Sequence, residues 1–270
     1  MIGVFDSGVG GLSILKALRV ELPHESFVYL SDSAHAPYGE RGDAYVIARA
    51  RAVTRYLRER HGLKTLVVAC NTATTAAIHE LRAEHPDLPL VGVEPALKPA
   101  VALSRTKRIG VVGTRGTLSS GKFQALHASL QDQAEFVVLP CDGLALAIEQ
   151  GVDQSEAESA ARIKALCAQY TGAMGPFGSG HGEIDTLVLG CTHYLFAADQ
   201  LSVLLGNRVQ IIDTGEPVAR QARRLLQAGN ALAPAGAGQI SLLTTGEPHI
   251  LQAAANRWLA LDVPVTQVAV

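Results

Sequence analysis

The chain has 270 residues, of which 48% are hydrophobic and 18% charged, and its formal net charge at pH 7 is -2. That length accommodates one large α/β domain or two smaller ones, and the composition is that of a folded chain, not a disordered one. The nearly neutral charge argues against nucleic-acid binding, and no apolar run approaches the roughly 18 residues that a membrane span needs.

The N-terminus leads directly into an apolar strand pattern at residues 2–5. We therefore expect no signal peptide, a cytoplasmic protein and reduced cysteines. The four cysteines include no CxxC pair, so the sequence predicts neither a disulfide framework nor a metal site. One basic cluster is interpreted as a solvated helix face; it comprises Arg49, Arg51, Arg55, Arg58 and Arg60.

Short β-branched runs alternate with longer helical patterns along the chain, which is typical of parallel α/β structure. The predicted strands are residues 2–5, 26–30, 65–69, 108–112, 136–139, 186–189 and 209–212. Small or polar residues follow most of these strands and suit tight turns and helix starts. Ligands are therefore expected at the carboxyl ends of the strands.

The first strand ends at Asp6 and Ser7. Asp6 could orient a thiol or a substrate ammonium group at this edge, or it could cap a helix over residues 8–18; the sequence leaves both open. The glycine-rich loop over residues 6–11 does not fit G-x-G-x-x-G and contains an acidic residue, so a nucleotide site is not expected there.

Two segments of the chain are echoed later in the same order. Residues 2–8 resemble residues 109–116, and residues 67–72, which contain Cys70, resemble residues 188–193, which contain Cys191. The second half is longer, and the glycine-rich stretch 171–182, predicted to be a loop, would hold the extra residues. Chance similarity is the alternative, but the pattern favours two similar halves, each with one cysteine past a strand end, that enclose a cleft.

Cys70 and Cys191 each follow a strand and precede a helix start, where backbone N–H groups and the helix dipole favour a thiolate. Cys141 and Cys167 are interpreted as small buried hydrophobic residues. His193 lies two residues after Cys191 and could exchange a proton with it. Glu149, near the end of a helical pattern over residues 143–150, has a surface charge as its default interpretation.

Five motifs in order resemble those of the glutamate racemase family: residues 3–12 (GVFDSGVGGL), 37–39 (PYG), 69–73 (ACNTA), 92–96 (GVEPA) and 189–194 (LGCTHY). The resemblance runs from residue 3 to about residue 216. It departs from the family pattern at Leu195, where proline is common, and at Thr214, where serine is usual. Neither position carries a catalytic role.

The resemblance implies two similar doubly wound parallel-sheet α/β domains related by a pseudo-two-fold axis. The first would comprise residues 1–96 and 207–270 and the second residues 97–206, with the active site in the cleft between them. It implies no cofactor and no metal. Cys70 would exchange the proton with the D-enantiomer and Cys191 with the L-enantiomer, because a two-base enzyme must act on both faces of the α-carbon. Asp6, Glu149 and His193 would assist.

The resemblance also implies a substrate and a setting. The residues expected to bind glutamate are Asp6, Ser7, Tyr38, Gly39, Asn71, Thr72, Thr192 and His193. Their short polar groups suit a small zwitterion with two carboxylates. The product D-glutamate would supply peptidoglycan synthesis, and a homodimer is expected. Because the chain starts close to the first strand, we also expect activity without a peptidoglycan-precursor activator.

Two alternatives stay open at the level of sequence. A related two-cysteine racemase acting on aspartate or a hydantoin would share the fold, and a panel of L-amino acids would separate it. A non-catalytic carboxylate-binding protein with two lobes would keep its ligand affinity after both cysteines are replaced by alanine.

Overall fold

The computed structural model describes residues 1–155 and 157–270 with their side chains and residue 156 by its backbone alone. The chain forms two compact units, one made of Met1–Val93 with Gly215–Val270 and the other of Glu94–Thr214. The sequence had assigned residues 94–96 and 207–214 to the first domain. In the structure both segments belong to the second unit, and residues 210–212 pair with its sheet.

Short strands and longer helices alternate throughout the chain. The strands are β1 (Ile2–Asp6), β2 (Phe27–Ser31), β3 (Thr65–Val68), β4 (Leu90–Gly92), β5 (Arg108–Gly113), β6 (Glu135–Pro140), β7 (Thr186–Gly190), β8 (Gln210–Ile212), β9 (Ile240–Thr244) and β10 (Val265–Gln267). The helices are α1 (Leu12–Glu21), α2 (Asp43–His61), α3 (Asn71–Glu84), α4 (Leu97–Leu103), α5 (Arg115–Leu118), α6 (Gly121–Ala128), α7 (Leu144–Gln150), α8 (Glu156–Met174), α9 (Ala198–Leu205), α10 (Gly215–Ala228) and α11 (Pro248–Leu259).

Each unit is built on one parallel sheet, which confirms the predicted α/β class. The first sheet has the order β10-β9-β2-β1-β3-β4 and the second the order β6-β5-β7-β8. The run β2-β1-β3-β4 therefore matches β6-β5-β7-β8 strand for strand. The echoed sequence segments fall on matching strands, β1 with β5 and β3 with β7. This correspondence favours duplication over chance similarity.

The predicted strands agree with the observed ones to within one or two residues, and three strands were missed. β4 and β10 are only three residues long, too short for a periodic signal. β9 lies beyond the last predicted strand and pairs with β2 in the sheet of the first unit. Only tertiary pairing identifies it as a strand.

The glycine-rich stretch 171–182 was predicted to be a loop, and this prediction is wrong for its first four residues. Residues 171–174 form the last turn of α8, where the Thr171 hydroxyl donates to the Cys167 carbonyl at 2.8 Å. Gly175, with φ of 108°, ends the helix, since L-residues with side chains rarely adopt that conformation. Residues 175–182 form the loop.

The basic cluster on α2 is only partly a solvated face. Arg51 and Arg58 reach outward to Glu84 and Asp87. The Arg49 side chain, however, is only 13% exposed and forms an ion pair with buried Asp32. Helical spacing explains the difference: Arg51 and Arg58 are seven residues apart and share one face, whereas Arg49 is two residues from Arg51 and faces another direction.

Buried side chains fill each unit separately. Phe5, Leu30, Val68 and Leu81 belong to one cluster of the first unit, and Val111 belongs to a cluster of the second. None of the helices among the described residues combines the length and apolar character that crossing a bilayer requires.

Candidate active site

Asp6 is the last residue of β1 and is completely buried. One carboxylate oxygen accepts hydrogen bonds from the Ser7 N–H at 2.7 Å and the Ser7 hydroxyl at 3.3 Å. The sequence left open whether Asp6 caps the following helix. It does not, because α1 begins at Leu12 with Gly11 at the N-cap position. The Asp6 carboxylate thus lies at the carboxyl end of β1 and is not part of a helix cap.

Cys70 follows β3, the strand next to β1, and is the N-cap residue of α3. Its Sγ accepts a hydrogen bond from the Ala73 N–H at 3.5 Å and lies 3.7 Å from the Ser7 Oγ. A thiol at the N-terminus of a 14-residue helix is placed where the helix dipole favours a thiolate. Asp6, Ser7 and Cys70 therefore form a continuous polar chain across two strand ends.

Asn71 and Thr72 open α3 directly after this thiol and are both buried. The Asn71 amide nitrogen donates to the Val93 carbonyl at 3.4 Å. Its Oδ1 is buried and, among the described residues, has no hydrogen-bond partner. Leaving such an acceptor unsatisfied costs about 1–3 kcal/mol. An ammonium group of a bound ligand would satisfy it.

Tyr38 and Gly39 lie in a short 3-10 turn, Tyr38–Glu40, of the first unit. The Tyr38 side chain is 1% exposed, and its hydroxyl donates to Asp32 at 2.5 Å. Tyr38 was predicted to bind a ligand, but its hydroxyl already has an acceptor inside the protein. This segment can therefore offer a ligand its main chain. The hydrogen bond from the Tyr38 hydroxyl to Asp32 holds that main chain in place.

Cys191 follows β7 and precedes a 3-10 turn, Thr192–Ala197, which also contains His193. The Cys191 Sγ lies 3.8 Å from the His193 Nδ1. On its other side, the His193 Nε2 lies 2.7 Å from a Glu149 carboxylate oxygen. The Glu149 side chain is only 15% exposed, so the default interpretation as a surface charge is wrong.

The His193 imidazole lies between Cys191 and Glu149 and is buried. Desolvation alone lowers the pKa of His193, but its hydrogen bonds to Cys191 and Glu149 raise it, and the resulting pKa lies well above the ordinary 6.5. The protonated form of His193 is therefore favoured beside the Cys191 sulfur. This arrangement resembles the nucleophile–base–carboxylate order of other activated thiols.

The predicted site residues thus fall into two sets. The first unit contains Asp6, Ser7, Tyr38, Gly39, Cys70, Asn71 and Thr72, and the second contains Glu149, Cys191, Thr192 and His193. Two further residues support the first set: Asp32, which the sequence analysis did not single out, and Arg49, which it interpreted as part of a solvated helix face. Asp32 follows the end of β2, so the rule that placed Asp6 at a strand end could also have found it.

The other two cysteines lie outside both sets. Cys141 and Cys167 are buried, and all four cysteines carry free thiols. Desolvation is the main cause that raises the pKa of Cys141 to about 12 and the pKa of Cys167 to about 11. Both thiols are therefore neutral and unreactive at pH 7. Among the residues with described side chains, no group of His, Cys, Asp and Glu is arranged to hold a metal ion.

The sequence model of a family described as Asp/Glu/Hydantoin racemase matches residues 12–222 of this chain. A glutamate racemase of Stutzerimonas stutzeri (strain A1501) is 44% identical over 248 residues, which are 92% of this chain and 89% of that protein. A glutamate racemase of Cupriavidus pinatubonensis is 43% identical over 271 residues, which are 100% of this chain and 95% of that protein.

Solved structures give the same result. Glutamate racemase isoform RacE1 from Bacillus anthracis has a TM-score of 0.87 and 31% identity, covering 100% of this chain and 97% of that chain. Escherichia coli glutamate racemase, in complex with L-glutamate and the activator UDP-MurNAc-ala, has a TM-score of 0.81 and 30% identity, covering 95% of this chain and 94% of that chain.

Proposed function

This chain belongs to the Asp/Glu/hydantoin racemase family, and from that membership we propose that it interconverts L-glutamate and D-glutamate with two cysteine thiols. It is an amino-acid racemase, and therefore an isomerase. One observation carries the proposed mechanism: Cys70 and Cys191 follow β3 and β7, which occupy matching positions in the two sheets.

The reaction needs one proton removed from one face of the α-carbon and another added to the opposite face. In the proposed mechanism one thiolate takes the α-proton, so that a C–H bond breaks and an S–H bond forms. The second thiol then gives its proton to the other face of the carbanion. The inverted amino acid leaves, and the two sulfur atoms have exchanged protonation states. The mechanism requires one thiol at each face of the substrate α-carbon.

We assign abstraction from L-glutamate to Cys191 and abstraction from D-glutamate to Cys70. His193 would hold the proton of the Cys191 thiol, and Glu149 would orient the imidazole and stabilise its charge. Asp6 and Ser7 would assist Cys70 as His193 and Glu149 assist Cys191. Thr72 and Thr192 would bind the two carboxylates, while Asn71 Oδ1 would accept a hydrogen bond from the ammonium group.

The α-proton of an amino acid is only weakly acidic, so the site must stabilise the developing negative charge. We propose that the N-terminus of α3 and the buried surroundings of both thiols stabilise this charge, since fixed dipoles act more strongly in a water-poor site than in water. Cys70 and Cys191 are 5% and 7% exposed.

Glutamate is preferred to aspartate or a hydantoin because the similar proteins described above are glutamate racemases. We further propose that D-glutamate made by this enzyme supplies peptidoglycan synthesis. Thiol catalysis suits a reducing compartment, so we propose a cytoplasmic enzyme. A homodimer remains a prediction from the family resemblance.

The test is exchange of the glutamate α-proton in heavy water, started from each enantiomer in turn. The wild-type protein should racemise glutamate with solvent deuterium in the product. Cys70→Ser and Cys191→Ser should each lose racemisation by a factor on the order of 10²–10⁴. Cys167→Ala is the matched control, because that thiol is buried in α8 and should leave the rate nearly unchanged.

The same assay with aspartate and a hydantoin separates the related activities. Deuterium exchange with either of these, and none with glutamate, would assign the chain to the other substrate. Full activity in both serine variants would exclude the two-thiol mechanism.

A further inference from the structure

Asp32 stands directly after β2 and is completely buried. Its Oδ2 accepts hydrogen bonds from the Tyr38 hydroxyl at 2.5 Å and the Arg49 Nε at 3.0 Å. Its Oδ1 accepts from the Arg49 Nη2 at 2.9 Å and the Thr245 hydroxyl at 2.9 Å. We call Asp32, Tyr38, Arg49 and Thr245 the Asp32 cluster. All four residues lie in the first unit.

The geometry of the Asp32 cluster is that of a positioning device. Arg49 reaches from α2 and binds both carboxylate oxygens, which fixes the plane of the carboxylate. Thr245 holds it from the segment after β9 and accepts the Ala34 N–H at 3.2 Å. The oxygen that accepts the Tyr38 hydrogen bond is therefore fixed by separate elements. We assign the ion pair to positioning, because a buried ion pair is by itself weak evidence for added stability.

Tyr38 links this cluster to the thiol of the first unit. Its ring and the Cys70 side chain belong to the same buried cluster. Desolvation is the main cause that raises the pKa of Tyr38, followed by the Asp32 carboxylate, and the nearby Cys70 also contributes. The hydroxyl therefore keeps its proton and donates to Asp32, and its side chain packs in the same buried cluster as Cys70.

We propose that Asp32 and Arg49 are positioning residues of the racemase: through the Tyr38 hydroxyl they fix the Tyr38 ring against Cys70 and present Gly39 to the substrate. This inference rests on the proposed function, whereas the positioning itself depends only on contacts within the first unit. Neither Asp32 nor Arg49 would touch the substrate. Each would act through Tyr38.

Tyr38→Phe tests the proposal most directly. It keeps the buried ring and the Asp32–Arg49 ion pair and removes only the hydrogen bond from the Tyr38 hydroxyl to Asp32. It should lower kcat/KM for both enantiomers by a factor on the order of 10–100, since small displacements of positioned groups cost that much. Tyr45→Phe is the matched control. Its hydroxyl contacts His35 at 3.1 Å in the same region and is not part of the cluster.

A second pair of variants tests Arg49 itself. Arg49→Met should lose kcat/KM as Tyr38→Phe does, and Arg49→Lys should restore part of it, because lysine keeps the charge without the two-pronged contact. Arg51→Lys on the same helix is the control, since Arg51 pairs with Glu84 at the surface. It should leave kcat and KM unchanged.

The rate of Cys70 alkylation by iodoacetamide provides a measurement that does not depend on catalysis. Peptide mass spectrometry would follow Cys70 and Cys191 in the same sample. Loosening the Tyr38 ring should raise the Cys70 rate several-fold in Tyr38→Phe and leave the Cys191 rate unchanged. A purely structural role would instead lower the melting temperature and raise both rates together.

The outcomes separate the two proposals. If wild-type protein racemises glutamate but Tyr38→Phe keeps its kcat/KM and its Cys70 alkylation rate, the positioning inference is overturned and the function stands. Equal acceleration at Cys70 and Cys191 also overturns it. If wild-type protein racemises no glutamate, the proposed function fails, and the Cys70 alkylation rate alone decides whether the Asp32 cluster positions Tyr38.

Discussion

At the residue scale, Cys70 and Cys191 differ in what surrounds their sulfur atoms. Cys70 accepts a backbone N–H at the start of α3 and lies near the Ser7 hydroxyl. Cys191 has no such cap and instead lies near His193, which contacts Glu149. One thiol thus depends on a helix N-terminus, which does not titrate, and the other on a titratable side chain. The reactivities of the two thiols should therefore respond differently to pH.

The pair His193 and Glu149 gives a prediction about stability. The fold raises the pKa of His193 above its ordinary value, so the protonated form is favoured in the folded state. This contribution to the free energy of unfolding is complete below the unfolded-state pKa and is lost as the pH rises through the folded-state pKa. Glu149→Gln should therefore lower the free energy of unfolding by roughly 1.5–3 kcal/mol at low pH, the usual value of a charged hydrogen bond, and by less at alkaline pH.

Urea unfolding at about pH 6 and about pH 9.5 measures this difference. Glu216→Gln is the control, because Glu216 forms an exposed ion pair with Arg220 and such pairs add little to stability. A loss of stability in Glu149→Gln that is equal at both pH values would show that His193 is not charged in the folded protein.

At the scale of elements, the turn between β1 and α1 leaves no room for a side chain at Gly11. A Cβ at Gly11 would lie 2.6 Å from the Asp6 Cβ and 3.0 Å from the Tyr29 hydroxyl. The Tyr29 hydroxyl in turn donates to the Gly8 carbonyl at 2.6 Å. The turn that carries Asp6 and Ser7 is therefore fixed by close contact with β2.

Gly11→Ala should destabilise the protein by about 1–3 kcal/mol, the usual cost of overpacking. It should also lower kcat, since the clash displaces Asp6. Thermal unfolding and racemisation assays measure the two effects. Gly121→Ala is the matched control, because a Cβ there meets nothing within 4 Å and the residue lies in α6. That variant should be neutral or slightly more stable, and an unchanged melting temperature in Gly11→Ala would contradict the packing argument.

At the scale of the whole molecule, the two units differ in how the chain builds them. The second unit is one continuous segment, Glu94–Thr214, and its sheet is complete within that segment. The first unit needs two segments, because β9 and β10 pair beside β2, and α10 packs against α1. Folding of the first unit therefore has to join residues that lie on either side of the second.

We predict that a fragment of residues 94–214 unfolds cooperatively by itself, because its strands and the cluster around Val111 come from that segment alone. A fragment of residues 1–93 should not, since it lacks β9 and the helix that covers α1. Circular dichroism during urea unfolding distinguishes the two results. A broad, non-cooperative transition for residues 94–214 would mean that the second unit depends on the first.

Much of this protein was determined by the sequence alone. Short β-branched runs alternating with longer helical patterns predicted the parallel α/β class and seven of the strands, because strands of a parallel sheet are covered on both faces and are therefore continuously apolar. Cys70, Cys191 and Asp6 could be singled out because strand ends followed by helix starts collect functional groups in parallel sheets. Five short motifs in order were enough to indicate the family.

Other features were decided only by the tertiary structure. Glu149 looked like a surface charge until α7 was placed beside the turn that holds His193, and Arg49 looked solvated until α2 turned one face toward Asp32. The strand β9 and the membership of residues 207–214 depend on pairing with distant strands. Local sequence encodes which face of an element is apolar, but the partner of a buried charge lies far along the chain, so burial and pKa follow only from the packed fold.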